Sequence, residues 1–197
     1  MDNFTYILAD EDNGEAAVID PSWDLEKIFD VVKKNGWKIK YIFNTHTHFD
    51  HILGNQQIAA ATEAKIVQHK NSAQPNDITV EDGQIISIGK IMIRIIHTPG
   101  HSSDSMSLVV NNELVLTGDT LFVGNCGRVD LPGSDASEMY ESLFGKIANL
   151  EDSMIVYPGH NYGITQTSTI GQEKKTNNVL KARSREDFLH FMASTDE

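Results

Sequence analysis

The stretch Asn44-Thr45-His46-Thr47-His48-Phe49-Asp50-His51 decides the fold of this 197-residue chain. It follows the apolar run Ile39–Phe43, which predicts a β-strand, and it precedes Ile52–Ala61, which predicts a helix. Three imidazoles and one carboxylate therefore fall within six residues, where a strand gives way to a helix. Packing does not readily explain so many potential metal ligands in six residues. The combination of imidazoles and a carboxylate predicts a site for zinc, iron or manganese.

The spacing within this stretch predicts that its candidate ligands point towards two different positions. His46 and His48 are two residues apart, so an extended backbone turns both imidazoles to the same side. Asp50 and His51 lie at the junction of loop and helix and can face a second point nearby. The stretch alone therefore offers ligands to two neighbouring positions.

Three later segments repeat this context, because a polar ligand type follows a predicted strand and a glycine. They are His101 after Ile91–Ile96, Asp119 after Leu114–Leu116, and His160 after Met154–Tyr157. Taken singly, each histidine is better explained as an ordinary loop residue, and the aspartate as a turn residue. However, strand ends at one edge of a sheet gather the site of an α/β protein, and five of the eight histidines belong to this set. We therefore interpret these residues together as metal ligands.

The remaining histidines and the cysteine lack such a context. His69, His97 and His190 are expected to be surface or packing residues. Cys126 has no second cysteine and no dedicated base beside it, so we expect an inert side chain. A single cysteine also excludes an internal disulfide and is typical of a reducing compartment.

Composition and charge indicate a cytoplasmic protein with one globular domain over residues 1–197. Hydrophobic residues make up 40% of the chain, and no apolar run approaches the roughly 20 residues that span a bilayer. No secretory signal is visible in residues 1–10, so neither a membrane nor secretion is expected. The net charge of −12 is spread along the chain, which disfavours binding to nucleic-acid phosphates.

Short β-rich runs alternate with helical periodicity along the chain. Further strands are predicted at Phe4–Leu8, Ala16–Ile19, Lys65–Gln68, Ile85–Ile88 and Met106–Val110. Further helices are predicted at Asp24–Asn35 and Ala136–Ala148, with a short C-terminal helix from about Ser184. This order suits two packed sheets with helices outside, which is a four-layer α/β architecture.

The H-x-H-x-D-H pattern, with its later His, Asp and final His, resembles the metallo-β-lactamase superfamily from about Phe4 to about Leu180. The resemblance implies the four-layer αββα sandwich of that superfamily and two bound metal ions. The implied ligands are His46, His48 and His101 for the first metal, Asp50, His51 and His160 for the second, and Asp119 as the bridge.

Two neighbouring segments are closest to particular branches of the superfamily. Thr117–Asp130 resembles glyoxalase II-like thioester hydrolases and persulfide dioxygenases, and Leu131–Asp135 resembles short bacterial glyoxalase II-like proteins. Long glyoxalase II enzymes have a lysine and a tyrosine where this chain has Arg128 and Asp130. They also continue into a large helical domain, whereas only residues 181–197 follow here.

Arg128 and Tyr162 are the candidates for contact with the substrate. For Arg128 the plain alternative is a surface ion pair with Asp130 or Asp135. The substrate is expected to be a small-molecule thioester or a related compound.

Three functions remain open from the sequence. The first is a metal-dependent hydrolase, a glyoxalase II-like thioesterase in which Asp50 and Asp119 position a metal-bridging hydroxide. It uses two divalent ions, with Zn²⁺ favoured and iron or manganese also compatible. The second is a persulfide dioxygenase with one iron, for which the family pattern uses the equivalents of His46, His101 and Asp119. The third is a non-catalytic metal-binding module, which the completeness of the seven ligand positions disfavours.

Overall fold

The computed structural model describes residues 2–182 and 184–194. Its first sheet has five strands in chain order, β1 (Tyr6–Asp10), β2 (Glu15–Ile19), β3 (Lys38–Phe43), β4 (Lys65–His69) and β5 (Ile78–Val80). Between these strands lie α1 (Leu25–Asn35), α2 (Phe49–Ile52) and α3 (Asn55–Thr62). β1 and β2 are antiparallel, whereas β2, β3, β4 and β5 run parallel to one another.

The rest of the chain builds a second sheet and its covering helices. The strands that follow are β6 (Ile85–Ile88), β7 (Ile91–His97), β8 (Met106–Val110), β9 (Leu114–Gly118), β10 (Leu121–Phe122), β11 (Asn125–Cys126), β12 (Ile155–Pro158) and β13 (Ser168–Thr169). The helices are α4 (Ala136–Tyr140), α5 (Ile170–Thr176) and α6 (Arg185–Ser194). β10 and β11 form a separate ribbon, and the other six strands form a sheet in the order β13-β12-β9-β8-β7-β6. β9 and β12 pair in parallel, so their carboxyl ends lie side by side.

Alternation along β2 shows how the two sheets pack. Ala17 and Ile19 face the second sheet and lie in one buried apolar cluster with Leu108. Val18 faces the opposite side and packs with Ile28 of α1. The outer face of the second sheet is buried in the same way beneath α4 and α6. The layers are therefore helix, sheet, sheet, helix, which confirms the predicted αββα sandwich.

One predicted helix is divided in the structure. The sequence predicts a helix at Ile52–Ala61, but α2 ends at Ile52 and α3 begins at Asn55. The Gly54 N–H donates to the Pro21 carbonyl at 2.8 Å and does not extend α2. This contact packs the α2–α3 junction against the loop that follows β2.

A second predicted helix, Ala136–Ala148, is regular only in α4. It continues as a π-helix at Glu141–Lys146 and a 3₁₀ turn at Ile147–Asn149. The Asp135 side chain caps its amino end by accepting hydrogen bonds from the N–H groups of Ser137 and Glu138. Among residues 2–182 and 184–194, no helix is long and apolar enough to cross a membrane.

The predicted C-terminal helix is α6, and Ser184 accepts a hydrogen bond from the Asp187 N–H at 3.1 Å. Asn111 and Asn112 form a tight turn between β8 and β9, and both have positive φ, as is common for asparagine in such turns. The elements that the sequence patterns do not predict include β5, β10, β11, β13, α5 and a 3₁₀ turn at Val179–Lys181.

Two backbone contacts hold the ends of the strands together at one edge of the sandwich. The Met106 N–H of β8 donates to the carbonyl of Thr45, just after β3, at 2.7 Å and so links the two sheets. The Gly159 N–H donates to the Gly118 carbonyl at 2.8 Å and joins the ends of β12 and β9. The predicted metal ligands extend from this edge.

Candidate metal centre

All seven predicted ligands meet at the edge where the two sheets join. Their side chains form three overlapping groups whose potential ligand atoms lie within 4.8 Å of one another. The first group is His46, His48 and His101, the second group is Asp50, His51 and His160, and a third set of His46, His51 and Asp119 connects the two. Six of these side chains are buried, and that of His48 is half-buried. The residues come from the ends of four strands and from α2, so the fold and not one local motif assembles the centre.

The first group consists of three imidazoles around a common point. Nδ1 of His48 lies 3.1 Å from Nε2 of His46 and 2.9 Å from Nε2 of His101. The ring plane of His48 is nearly perpendicular to the ring planes of His46 and His101. Three ring nitrogens that point at one another match the ligand atoms of a histidine-bound metal.

The second group adds a carboxylate to two imidazoles. Nε2 of His51 lies 3.3 Å from Nε2 of His160. Oδ2 of Asp50 lies 3.6 Å from each of these nitrogens. The mixture of nitrogen and oxygen ligands suits zinc, iron or manganese.

The Asp119 carboxylate lies between the two groups. Its Oδ2 is 3.1 Å from Nε2 of His160 and 3.6 Å from Nε2 of His101, and its Oδ1 is 3.5 Å from Nε2 of His51. Oδ1 is buried without a hydrogen-bond partner among the residues that the structure describes. A desolvated carboxylate oxygen is costly unless a cation or a donor compensates it, so the donor set fits metal ions.

Two glycines allow the backbone to approach Asp119 closely. A Cβ at Gly159 would lie 2.3 Å from Oδ1 of Asp119, and a Cβ at Gly127 would lie 1.9 Å from its carbonyl oxygen. Real Cβ atoms do not come so close to other atoms. Gly159, directly before His160, therefore needs to be a glycine for a steric reason as well as for the sharp turn that the sequence predicts there.

Asp20 is a functional residue that the sequence interpretation missed. It is buried directly after β2, and its Oδ2 accepts hydrogen bonds from Nδ1 of His51 at 3.0 Å and Oγ1 of Thr45 at 2.6 Å. Its Oδ1 accepts a third hydrogen bond from the Thr45 N–H at 2.7 Å. By accepting the hydrogen on Nδ1, Asp20 directs Nε2 of His51 towards the candidate centre, where a metal ion would take the place of the proton on Nε2. A carboxylate directly after a strand was the signal that could have identified it.

A backbone carbonyl does the same for His101. Nδ1 of His101 donates to the carbonyl of Arg128 at 2.9 Å, which directs Nε2 towards the first group. The segment around Arg128 therefore contributes to the centre through its main chain.

Burial and neighbouring charges set the protonation of the candidate ligands. Burial, reinforced by the surrounding imidazoles, holds the pKa of His46 well below its usual value, and burial with His101 lowers the pKa of His48. Burial also opposes the charged form of His51, but the Asp20, Asp119 and Asp50 carboxylates outweigh it and raise the pKa to about 9. His46 and His48 are therefore neutral near pH 7, the form that binds metals.

For Asp119, burial favours the neutral acid, but the hydrogen bond with His160 and the charge of His51 outweigh burial and lower its pKa. Asp119 is therefore ionised, which is the form of a carboxylate that binds a metal.

A cleft of about 650 Å³ opens over the centre. Its walls are mainly apolar and include Phe49, Phe122 and Leu131. Tyr162 and Arg128, the two candidates for substrate contact, both line this cleft. The exposed ring of Tyr162 stacks on His160 with centroids 4.8 Å apart and planes 2° apart.

The expected ion pair of Arg128 is present with Asp130 through two contacts. The other expected partner, Asp135, instead caps α4. Arg128 therefore combines a position in the wall of the cleft with a carboxylate partner.

The other histidines and the cysteine behave largely as expected. His69 is buried and stacks on His97, with ring centroids 3.9 Å apart. Cys126 is buried at the floor of the cleft, and burial raises its pKa to about 12. The cysteine is therefore a thiol and not a thiolate at neutral pH, as an inert residue requires.

Comparisons with known proteins agree with this geometry. A model of the metallo-beta-lactamase superfamily matches residues 2–75 and 68–160. The chain is 31% identical to the mitochondrial persulfide dioxygenase ETHE1 of Homo sapiens over 195 residues, which cover 97% of this chain and 76% of that protein. It is 37% identical to a hydroxyacylglutathione hydrolase of Polaromonas sp. over 166 residues, which cover 81% of this chain and 62% of that protein. The crystal structure of ETHE1 from Myxococcus xanthus matches with a TM-score of 0.94 and 32% identity, covering 100% of this chain and 87% of that one.

The two curated relatives have different activities in their names, one a dioxygenase and the other a hydrolase. The chain also spans less than two thirds of the hydrolase. The relatives therefore agree on a superfamily and leave the reaction open. Since the family model matches most of the chain and relatives above 30% identity cover most of it, the chain belongs to the metallo-β-lactamase superfamily of metal-dependent enzymes.

Proposed function

We propose that the protein is a glyoxalase II-like thioesterase that hydrolyses small-molecule thioesters with two divalent metal ions. The observation that carries this proposal is the position of Asp119, whose two carboxylate oxygens face both ligand groups. A carboxylate between two complete groups is the arrangement expected of a bridging ligand in a two-metal site. The assigned ligands are His46, His48 and His101 for the first ion, Asp50, His51 and His160 for the second, and Asp119 for both.

The two carboxylates have the catalytic assignments. When bound, a pair of divalent ions supplies a hydroxide nucleophile near neutral pH and polarises the carbonyl under attack. Asp50 and Asp119 orient the attacking water while they serve as ligands. Zn²⁺ is the favoured ion, and iron or manganese suits the same ligands.

The cleft supports a thioester with an apolar acyl group. Phe49 and Leu131 provide apolar wall surface, and Tyr162 offers an exposed ring beside His160. Arg128 contributes a positive charge, partly compensated by Asp130. A thiolate is a weak base and departs without a general acid, so the cleft needs no further titratable residue for this step.

We also propose that residues 1–197 act as a single cytoplasmic domain on a small molecule, without a nucleic-acid or membrane partner. The net charge of −12 supports this assignment, because phosphate-rich partners require clustered positive charge. The single buried cysteine is in keeping with a reducing compartment.

The test is thiol release from S-D-lactoylglutathione and from an uncharged S-acyl thiol by the zinc-loaded protein. The expected kcat is on the order of 1 s⁻¹ or more on at least one substrate. Asp119→Ala serves as the blank and should lose metal and activity together, whereas Asp152→Ala at an exposed ion pair should keep both. Failure to release thiol from either substrate, with two ions bound, would overturn the proposal.

A second candidate is a persulfide dioxygenase with a single iron. It is favoured by the match of 97% of this chain to the human protein and by the TM-score of 0.94 with the Myxococcus xanthus structure. His46, His101 and Asp119 would then be the ligands of the iron. Oxygen uptake by the iron-loaded protein on glutathione persulfide, without thioester turnover, would select this function. An intact metal site inactive in both assays would instead indicate a non-catalytic module.

A further inference from the structure

Residues 2–4 run across the second ligand group. The Asp2 carbonyl accepts a hydrogen bond from the Asn161 N–H at 2.8 Å, and the Phe4 N–H donates to the Gly159 carbonyl at 2.8 Å. Between these two contacts, Asn3 forms an antiparallel bridge with His160. The main chain of residues 2–4 therefore braces the turn that carries one ligand of this group.

The side chain of Asn3 reaches a second ligand of the same group. Its Nδ2 donates to Oδ2 of Asp50 at 2.8 Å and to the Asp50 carbonyl at 3.2 Å. Its Oδ1 accepts from Nε1 of Trp23 at 3.3 Å, and this fixes which end of the amide faces Asp50. Within residues 2–182 and 184–194, Asn3 is the sole residue whose hydrogen bond reaches the carboxylate of Asp50.

The oxygen that Asn3 contacts is also the oxygen that faces the ligand group. Oδ2 of Asp50 lies 3.6 Å from the ring nitrogens of both His51 and His160. A carboxylate oxygen has two lone pairs, so one can accept the amide hydrogen while the other is directed at a metal ion. Without the amide, the Asp50 side chain can turn about its last torsion, which has a broad energy minimum.

Residues 2–4 make no such contact with the first group. In the described parts of the chain, the hydrogen bonds of Asp2, Asn3 and Phe4 reach Asp50, the His160 turn and Trp23. His101 is oriented by the Arg128 carbonyl, and His46 approaches Oγ1 of Thr45. The hydrogen bonds of residues 2–4 therefore support the second group and not the first, although Thr45 and Asp20 connect His46 with His51 elsewhere in the centre.

We propose that Asn3 is a positioning residue for Asp50 and that it controls the affinity of the second metal position without affecting the first. Partners that orient metal ligands typically change metal affinity by about 10–100-fold when they are removed. Replacing Asn3 should therefore convert a protein that binds two ions tightly into one that binds a single ion tightly. This inference concerns metal occupancy, so it stands or falls independently of whether the substrate is a thioester.

The experiment is a Co²⁺ titration of the full-length, metal-free protein, followed by visible absorbance and fitted to two dissociation constants. In Asn3→Ala, one of the two constants should rise by about 10-fold or more, while the other changes by less than about threefold. Asn35→Ala is the matched control, because the exposed Asn35 amide donates to the Val31 carbonyl within its own helix. It should leave both constants unchanged.

Three outcomes would overturn the proposal: a wild-type protein that binds one Co²⁺, an Asn3→Ala variant with unchanged constants, or one in which both constants rise equally. The last result would mean a general effect on folding and not a role at Asp50. If Asn3→Ala does not fold, Trp23→Phe removes the donor that orients the Asn3 amide and keeps an aromatic ring. Trp23→Phe should raise one of the two dissociation constants selectively, and two unchanged constants in that variant would also overturn the proposal.

Discussion

Nδ1 of His51 lies 3.0 Å from Oδ2 of Asp20, and both side chains are almost fully buried. Asp20 also accepts two hydrogen bonds from Thr45, so its carboxylate cannot turn away from the ring. The pair connects the end of β2 with α2, and it orients His51 towards Asp119 and His160. The geometry of the second ligand group thus depends on a residue that contributes no ligand itself.

The first prediction concerns this pair. Asp20→Asn keeps the size of the side chain but replaces one acceptor oxygen with a donor, so it cannot satisfy both His51 and Thr45. We expect affinity for the second metal ion to fall by about 10–100-fold, measured by competition with a chromogenic chelator. Asp152→Asn, at an exposed ion pair with Lys174, is the control and should bind metal as the wild type does. Unchanged affinity in folded Asp20→Asn would contradict a positioning role.

Local patterns were enough to single out the seven candidate ligands, which the fold brings together, because each stands after a strand or within one short motif. Asp20 obeys the same rule, but its role depends on His51, 31 residues away, and no local pattern reports that contact. Asn3 lies 47 residues from Asp50 and was missed for the same reason. Predicting these partners requires knowing which strand ends become neighbours.

The same limit applies to the fold. The αββα layers followed from alternating strands and amphipathic helices, which are properties of neighbouring residues. The break between α2 and α3 depends on a hydrogen bond from Gly54 to Pro21, which periodicity does not report. Two-residue strands such as β10 and β13 are too short to show any alternation.

The second prediction tests the close approach at Gly159. A methyl group there would lie 2.3 Å from Oδ1 of Asp119 and 3.0 Å from the Gly118 carbonyl carbon. Gly159→Ala should therefore destabilise the fold by about 1–3 kcal/mol, in urea unfolding, and weaken metal binding. Gly145→Ala is the control, because its methyl would come no nearer than 3.7 Å to Glu141. If Gly159→Ala and Gly145→Ala have the same unfolding free energy and the same metal affinity, the turn before His160 can relax to admit the methyl group.

The third prediction concerns the thiol at the floor of the cleft. Burial raises the pKa of Cys126 to about 12, and its sulfur lies 3.8 Å from that of Met192 in α6. At pH 8 the native thiol should react with an aromatic disulfide reagent at least about 100-fold more slowly than the thiol of the denatured protein. Cys126→Ala should keep turnover within about threefold of the wild type, because the sulfur has no assigned role. Rapid native labelling, or loss of turnover in a folded variant, would give Cys126 a chemical role after all.

The fourth prediction concerns the stacked pair His69 and His97, which lies apart from the metal centre. Burial, and then the charge that a protonated His97 would bring, lower the pKa of His69 to about 4. The folded state therefore favours the neutral His69 ring. The stability that this preference contributes is fully present above the pKa of about 6.5 that His69 has in the unfolded chain. It is lost as the pH falls from that value through about 4.

Nuclear magnetic resonance of the histidine rings, with His69→Gln to assign the signal, should show His69 still neutral at pH 5.5. Chemical unfolding of the metal-free proteins at pH 7 and pH 5 should show a smaller loss of stability in His69→Gln than in the wild type. The candidate ligand histidines are present in both proteins. Their titration therefore cancels when the stability loss of one protein is subtracted from that of the other. A His69 signal that titrates near pH 6.5 would mean that the stack opens in solution, because a ring held 3.9 Å from another imidazole in a buried site resists a second charge.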